Sequence, residues 1–363
     1  MYVLTMIGAL LAYTMGTSFS TGQEFMQFYA VHGYYGAIGM FLQTFIMIAF
    51  CIVIFWDCRK YNFKNPKDCL IAYCGKYLGT AVYFYTVIYM YCMLLQLIAG
   101  AGSIIMEYFQ VPYAVGACLI AALSIGSVLL GMQKIISLIS KVAPFKVLLV
   151  MIVAIVGLIY AADGIVGGTA IARSADVLRV SDSWFLSFIL HNSYAVLFFL
   201  PFLVSIAVDK SVSRKELTLI ATIGQSVLTI IAIIMILAMV ANFSLTGNTQ
   251  APNLVMATTY LPFIAGIFTI ILFASIFTTI SPIAIMVAQA FAKPRTLAYN
   301  FAGSASILFA LGLSFFASFS QILNIFVSVS GWIGLGVYAC IIFTKLFRKP
   351  KPIEDTYDSA SSL

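Results

Sequence analysis

The alternation of apolar and polar stretches divides the chain into ten long hydrophobic segments joined by short polar ones. A helix needs about 20 mainly apolar residues to cross a bilayer. The predicted spans are 2–31, 34–56, 77–106, 112–131, 143–162, 184–208, 217–243, 258–291, 296–318 and 321–346. This pattern predicts an all-α integral membrane protein with ten transmembrane helices. The eighth span is long enough to tilt, or to begin with an amphipathic turn after Pro252 or Pro262.

Composition excludes a water-soluble protein. Hydrophobic residues make up 63% of the 363 residues and charged residues only 9%, whereas about 25% of the residues in soluble domains are charged. So few charges cannot cover a water-facing surface, which excludes ordinary cytosolic enzymes, nucleic-acid-binding proteins, disordered chains and secreted disulfide scaffolds. The seven cysteines are scattered and only two histidines accompany them. We therefore expect free thiols and no zinc site.

The positive charges predict the orientation, because cytoplasmic loops of membrane proteins are enriched in Lys and Arg. With a cytoplasmic N-terminus, the ten spans place 17 of the 19 basic residues inside and only Arg173 and Arg179 outside. We expect a multi-pass plasma-membrane protein with both termini in the cytoplasm. It would form one transmembrane domain over 1–348, followed by a disordered tail over 349–363. The outer loop at 163–183 is predicted to carry a short surface helix.

The first span is predicted to be interrupted near its middle. Gly, Ser and Thr dominate residues 16–22, and these residue types loosen a helix or compete for its hydrogen bonds. Thr21 and Glu24 then have the spacing of a capping box, which indicates a new helix start. Glu24 is the only acidic residue well inside a predicted span. Two compatible roles stay open for it: a cap beside the helix dipole, or cation or proton coupling.

The sixth span contains a second polar interruption. His191, Asn192, Ser193 and Tyr194 follow one another at about mid-depth, and Pro201 comes after them. Four consecutive polar residues are costly in lipid, so we expect a helix break or a cavity wall here. A continuous helix whose polar stripe faces other helices is the alternative. No second ligand accompanies His191, so no metal site is expected there.

The two interruptions lie at corresponding positions of the chain. Ten spans divide into five plus five, and the interrupted spans are the first of each half. Interrupted helices at matching positions of two halves indicate a transporter site built on inverted repeats. The repeats would cover about 1–162 and about 184–346.

The stretch from Gly8 to Phe28 resembles the opening of the bacterial YkvI-type membrane proteins. These belong to the amino acid–polyamine–organocation (APC) superfamily, which has the leucine-transporter fold. Thr21-Gly22-Gln23-Glu24 matches the motif of that family, whereas its usual Gly-x-Gly is Gly16-Thr17-Ser18 here. The resemblance implies a substrate between helices one and six, flanked by helices three and eight. The substrate-binding candidates are Gly16, Thr17, Ser18, Phe19, Ser20, Tyr89, Gln96, Asn192, Ser193 and Tyr194.

The same resemblance implies candidates for ion coupling besides Glu24. Ser275, Thr278 and Thr279 lie at the depth where sodium symporters of this fold supply hydroxyl ligands. Lys146 lies on helix five, where some proton-coupled relatives place a lysine instead of sodium. Simpler interpretations stay open: hydroxyls bonded to carbonyls one turn back, and a lysine that reaches to the membrane interface. Apart from a possible Na⁺ at the three hydroxyls, no metal is expected.

The leading functional hypothesis is a secondary active transporter that moves a small solute by Na⁺- or H⁺-coupled alternating access. An amino acid or related zwitterion is the expected substrate, since half-helix N-termini bind carboxylates. A channel or a transporter-like sensor is the alternative. An enzyme is not expected, because the sequence shows no paired intramembrane carboxylates, histidine cluster or nucleotide-binding loop. The expected partners are a small-molecule substrate and the lipid bilayer, with no nucleic acid and no cofactor other than the coupling ion.

Overall fold

The structure, a computed structural model, describes residues 2–14, 19, 21–130, 132–208, 212–293, 296–348 and 350. Every regular element among them is helical. A 3₁₀ turn, Ala30–His32, follows the second helix. The α-helices are α1 (Tyr2–Thr14), α2 (Gln23–Phe28), α3 (Tyr34–Tyr61), α4 (Pro66–Cys74), α5 (Lys76–Phe109), α6 (Tyr113–Leu130), α7 (Met132–Tyr160), α8 (Gly164–Ser174), α9 (Trp184–Val208), α10 (Arg214–Ala241), α11 (Phe243–Thr246), α12 (Pro252–Tyr260), α13 (Pro262–Phe291), α14 (Leu297–Leu313) and α15 (Phe319–Phe347).

The described helices are those of a membrane protein, as predicted. Seven of them, α3, α5, α6, α9, α10, α13 and α15, are long and apolar enough to cross a bilayer. Phe145–Tyr160 of α7 and α8 meet at a bend of 100° and would make an eighth span if counted together. The total of ten spans stays a prediction. The predicted tail at 349–363 lies, apart from residue 350, outside the described residues.

Polar residues between the spans determine where several helices begin. At the start of α10, the Ser213 hydroxyl accepts a hydrogen bond from Glu216 N at 3.2 Å, and the Glu216 carboxylate accepts one from Ser213 N at 2.7 Å. The same reciprocal arrangement joins Ser318 and Gln321 at the start of α15 and recurs at the start of α4. A short helix in the predicted outer loop is confirmed by α8, and α13 begins at Pro262 as one of the two expected starts.

The predicted break in the sixth span is wrong. α9 runs without interruption from Trp184 to Val208 and includes Pro201. The polar run at 191–194 does not interrupt it because these side chains are buried among other helices instead of facing lipid. His191 also has hydrogen-bond partners on the neighbouring helices, so both ring nitrogens are satisfied without a break in α9. The alternative interpretation, a polar stripe on a continuous helix, describes α9. The expected cavity wall is also present, since His191 and Tyr194 line a cavity.

The long helices pack in two groups. α9 packs against α3 and α15, and α10 packs against α1 and α3. In the second group, α5, α6, α13 and α14 pack against one another. α7 contacts both groups through α10 and α13. The polar stretch of α9 therefore lies within the first group, between α3 and α15 and beside α2.

Glycines let α15 approach the backbone of α9. A Cβ atom added at Gly334 would lie 1.9 Å from the carbonyl oxygen of Ser193, and one added at Gly331 would lie 3.1 Å from Leu190. Small residues at such contacts allow helix backbones to meet, which is a main source of packing energy in membranes. This contact holds the polar stretch of α9 against α15.

Replacing Gly334 with alanine should therefore destabilise the protein. We expect a loss of about 1–3 kcal/mol, because the new methyl group must push α15 away from α9. The matched control is Gly336→Ala on the same helix, where an added Cβ meets nothing within 4 Å. Alanine favours a helix over glycine, so that control should be neutral or slightly stabilising. Thermal unfolding of the purified variants measures both effects, and equal melting temperatures would contradict the close contact.

Candidate functional site

The site is built around the start of α2. Gly22 has φ of +81°, in the left-handed region that favours glycine, and α2 begins at the next residue. A Cβ at Gly22 would lie 2.2 Å from the Met239 side chain. Asn253 Nδ2 donates a hydrogen bond to the carbonyl oxygen of Phe19 at 2.8 Å. The predicted interruption of the first span is thus present at Gly22, and α10 and α12 pack around it.

The predicted capping box at this helix start is wrong. Gly22 precedes the first helical residue, and no side chain caps α2 there. The Thr21 hydroxyl accepts a hydrogen bond from Gln23 N at 3.2 Å. Glu24 is the second residue of α2, so its side chain is not in the position that reaches back to the cap. It instead extends toward α9.

Glu24 forms a buried acid–base pair with His191. The Nε2 atom of His191 lies 3.1 Å from Glu24 Oε1, and both side chains are less than 10% exposed. On the other side of the imidazole, Nδ1 lies 2.7 Å from Gln43 Oε1 and 2.8 Å from the Tyr29 hydroxyl. The Tyr29 hydroxyl also donates to Gln43 Oε1. One network therefore joins α2, α3 and α9.

Aromatic rings enclose this network. The ring of Phe28 is edge-on to that of His191 at 4.8 Å between centroids, and the rings of Tyr29 and Tyr194 are edge-on to it at 5.1 and 5.2 Å. Hydrogen bonds and ion pairs are stronger in such low-dielectric surroundings, and an unpaired charge is correspondingly costly. The surroundings thus favour keeping Glu24 and His191 together.

The pair lies in the wall of a central cavity. The volume open to the centre of a water molecule is about 80 Å³, several times what one water needs. Glu24 and His191 are the only acidic and basic side chains among its described lining residues. These are Thr14, Phe19, Glu24, Phe25, Met40, Gln43, Met47, Tyr89, Met93, His191, Tyr194, Ala195, Phe198, Phe199, Gln225, Leu228 and Thr279.

The structure brings some of the predicted site residues to this cavity. Phe19, Tyr89 and Tyr194, predicted for substrate binding, line it together with Glu24 and Thr279, predicted for ion coupling. The Tyr89 hydroxyl is buried without a hydrogen-bond partner among the described residues, so it is available to a ligand.

Other predicted residues lie elsewhere. Gln96, Asn192 and Ser193 are buried but are not among the described lining residues. Gly16, Thr17, Ser18 and Ser20 lie outside the described residues.

Two of the three hydroxyl side chains on α13 that were predicted for ion coupling donate hydrogen bonds within the helix itself. The hydroxyls of Thr278 and Thr279 donate to the carbonyl oxygen of Ser275 at 2.8 and 3.2 Å. All three residues are buried. This is the simpler of the two interpretations of these residues, although each hydroxyl oxygen keeps lone pairs that a cation could use.

Lys146 is not an interfacial lysine in the described structure. It is 1% exposed on α7, so the alternative that it reaches the membrane interface does not describe it. It is not among the described lining residues of the cavity.

Sequence reasoning missed His191, Gln43 and Tyr29 as site residues. His191 was predicted as part of a helix break or cavity wall but not as a partner of Glu24, and Gln43 lies beside Thr44 in an otherwise apolar stretch. A buried amide inside a predicted span is the signal that would have pointed to Gln43, because buried polar groups require partners.

A second buried carboxylate, Asp57, has a different environment. Lys345 Nζ lies 2.6 Å from Asp57 Oδ1, and the Tyr73 hydroxyl donates to the same carboxylate. The Thr344 hydroxyl donates to the carbonyl oxygen of Tyr73 at 2.8 Å. These contacts join α3, α4 and α15 near the helix ends. Asp57 is thus held in a structural contact away from the cavity, whereas Glu24 faces into it.

No protein-family model and no curated protein matches the chain. Thirty chains of solved structures are similar to it. One is the substrate-bound outward-open state of a Na⁺-coupled sialic acid symporter, with 15% sequence identity and a TM-score of 0.57. The match covers 94% of this chain and 78% of the symporter chain. At this identity the likeness shows the fold alone, and that fold agrees with the predicted leucine-transporter-like architecture. The YkvI-type relationship stays a prediction.

Proposed function

We propose that the protein is a secondary active transporter that moves a small solute by ion-coupled alternating access. The observation that carries this proposal is the central cavity: it lies among seven helices and holds a buried carboxylate and imidazole. Ionisable groups placed inside a membrane protein in this way mark substrate or ion pathways. The fold shared with a symporter supports the same function.

Two further pockets, a recess and a groove, lie near the central cavity. A polar recess of about 200 Å³ is lined by Gln23, Asp176, Gln250 and Ser320 among others. Gln23 faces this recess and the next residue, Glu24, faces the central cavity, so α2 separates the two. On another side, a groove of about 300 Å³ is lined by Pro66, Met90 and Pro201 among others. With the predicted topology, the recess opens outside and the groove opens to the cytoplasm.

The packing supports a ten-span architecture of two inverted repeats. Counted as predicted, spans one, two, six, seven and ten form the first packing group, spans three, four, eight and nine form the second, and span five contacts both. Four matching pairs of helices, one and six, two and seven, three and eight, and four and nine, thus lie within the same group. We propose repeats over about 1–162 and about 184–346 within one domain, 1–348, with both termini in the cytoplasm and a cytoplasmic tail at 349–363.

The cavity favours a small solute with an amino group. Glu24 supplies a net negative charge whenever His191 is neutral, and rings such as Phe25, Tyr89 and Phe198 can contact an ammonium group or an apolar side chain. The limited volume excludes large solutes. An amino acid or related zwitterion fits these properties, with its carboxylate directed to the predicted interruption of the first span.

The test is uptake by the purified protein in liposomes. Each of the twenty common amino acids is supplied in labelled form under an imposed Na⁺ or pH gradient. We expect at least one to accumulate above protein-free liposomes and to raise the melting temperature of the protein, because a ligand that binds only the folded state stabilises it. Absence of both uptake and thermal shift for the whole panel would contradict the proposal.

A further inference from the structure

We propose that the Glu24–His191 pair, with Gln43 and Tyr29, is the coupling site of this transporter and that its coupling ion is a proton. This inference rests on the proposed function and names the ion that the site carries. It assigns the proton to groups that face the cavity, and not to Lys146 on α7.

The hydrogen-bond geometry fits an imidazolium ring. His191 has an acceptor on each side, Glu24 Oε1 at 3.1 Å from Nε2 and Gln43 Oε1 at 2.7 Å from Nδ1. A doubly protonated ring donates to both. In this loaded state the Tyr29 hydroxyl donates to Gln43 Oε1. The positive ring and the Glu24 carboxylate then neutralise each other, which buried ions require.

The same residues can also accommodate the unloaded state. When Nδ1 loses its proton, its lone pair needs a donor, and the Tyr29 hydroxyl lies 2.8 Å away. Tyr29 can thus turn its hydrogen from Gln43 to His191. The ring keeps Nε2–H directed at Glu24, so one proton has left and no other covalent bond has been made or broken. The pair now carries one negative charge.

Loss of the proton also changes the cavity wall. Gln43 Oε1 would then face the Nδ1 lone pair at 2.7 Å with no donor between them, which is repulsive. The Gln43 amide must rotate or move away. Since Gln43 and Glu24 both line the cavity, a solute meets a different charge and a different amide in the two states. This links proton occupancy to solute binding.

The neighbouring titratable groups do not compete for this proton. Among the described residues, those that face the pair or its cavity from the surrounding elements are tyrosines: Tyr29 after α2, Tyr89 on α5 and Tyr194 on α9. Tyr13 of α1 donates to the carbonyl oxygen of Phe198 at 2.9 Å, farther along α9. Tyrosine ordinarily titrates near pH 10, whereas histidine titrates near neutrality.

The first test needs no solute. Infrared difference spectra of the reconstituted protein are recorded between successive pH steps. We expect histidine protonation coupled to a change in a buried carboxylate in the wild type and in His32→Gln, the matched control that removes the other histidine. The signal should be absent in His191→Gln, and its carboxylate part absent in Glu24→Gln. Identical spectra for wild type and both pair variants would overturn the proposal.

Tyr29→Phe tests the positioning role of the hydroxyl. It removes the donor that the unloaded ring needs and leaves the loaded ring both of its acceptors. The midpoint of the histidine signal should therefore move to higher pH, by up to about one pH unit. An unchanged midpoint would contradict the two-way hydrogen bond. This variant also serves if the pair variants fail to fold.

The second test uses the amino-acid panel with a pH gradient and no sodium. One coupled proton can drive about tenfold accumulation per pH unit, and His191→Gln, which removes the group that carries the proton, should reduce the accumulation ratio to one. Accumulation that requires sodium and ignores pH would overturn the proton site while leaving the proposed function intact. A titrating pair in a protein that moves no solute would support the proton site and contradict the proposed function.

Discussion

Replacing Ala195 with phenylalanine should abolish solute uptake. Ala195 lies in the wall of the central cavity, one residue after Tyr194 on α9, and is 5% exposed. A benzyl group in its place would fill most of a cavity of about 80 Å³. Uptake of whichever solute the wild type accumulates in the liposome test should fall to the level of protein-free liposomes, and the thermal shift that this solute causes should disappear. Both are measured on the same purified variant.

The control for this substitution places the same side chain on the lipid face. Ala122 of α6 is exposed, so a phenylalanine there meets the bilayer and not the cavity. Ala122→Phe should keep the uptake rate and melting temperature of the wild type. If Ala195→Phe folds and still transports as fast as Ala122→Phe, the central cavity is not where the solute binds.

The membrane-spanning helices were accessible from sequence because one length scale governs them. A run of about 20 apolar residues has few alternatives to a transmembrane helix, and helices such as α6 and α9 begin and end within a few residues of the predicted spans. The interruption near Gly22 was predicted for a similar reason, since small and hydroxyl residues weaken a helix locally. Both predictions depend only on neighbours along the chain.

The sixth span shows where local reasoning fails. The polar run from His191 to Tyr194 would be costly in lipid, but the same run is stable in a helix whose neighbours supply partners. Whether such partners exist depends on residues far along the chain: Gln43 is 148 positions from His191, and Glu24 is 167. The sequence placed Glu24 in the membrane without showing what it would contact.

The capping box failed for the same reason. Thr21 and Glu24 have the right spacing, and spacing is all that a single sequence provides. In the structure Gly22 takes the left-handed conformation and the Glu24 carboxylate is used by His191. A carboxylate can accept a charge-assisted hydrogen bond from a backbone N–H or from a histidine ring, and here Glu24 lies 3.1 Å from the ring of His191.

Removing only the histidine of the buried pair should destabilise the protein strongly. His191→Leu leaves the Glu24 carboxylate buried without its partner, and breaking a buried pair from one side typically costs about 3–5 kcal/mol. Because Glu24 lines a cavity that can admit water, we expect the lower end of that range. Adding Glu24→Gln to His191→Leu removes the uncompensated charge, so the double variant should be more stable than the single one.

Measuring the free energy of unfolding at several pH values separates the cost of the unpaired Glu24 carboxylate from the packing that is lost with the histidine ring. In His191→Leu the penalty comes from a charged carboxylate, so it should be largest at neutral pH and shrink as the pH falls and Glu24 takes up a proton. The double variant has no carboxylate at position 24, so its stability relative to Glu24→Gln alone should not change with pH in this way. Denaturant unfolding of the four proteins at neutral and acidic pH gives all the comparisons. If the two mutations lower stability additively at every pH, Glu24 and His191 do not act as a pair, because residues that interact show a coupling energy in such a cycle.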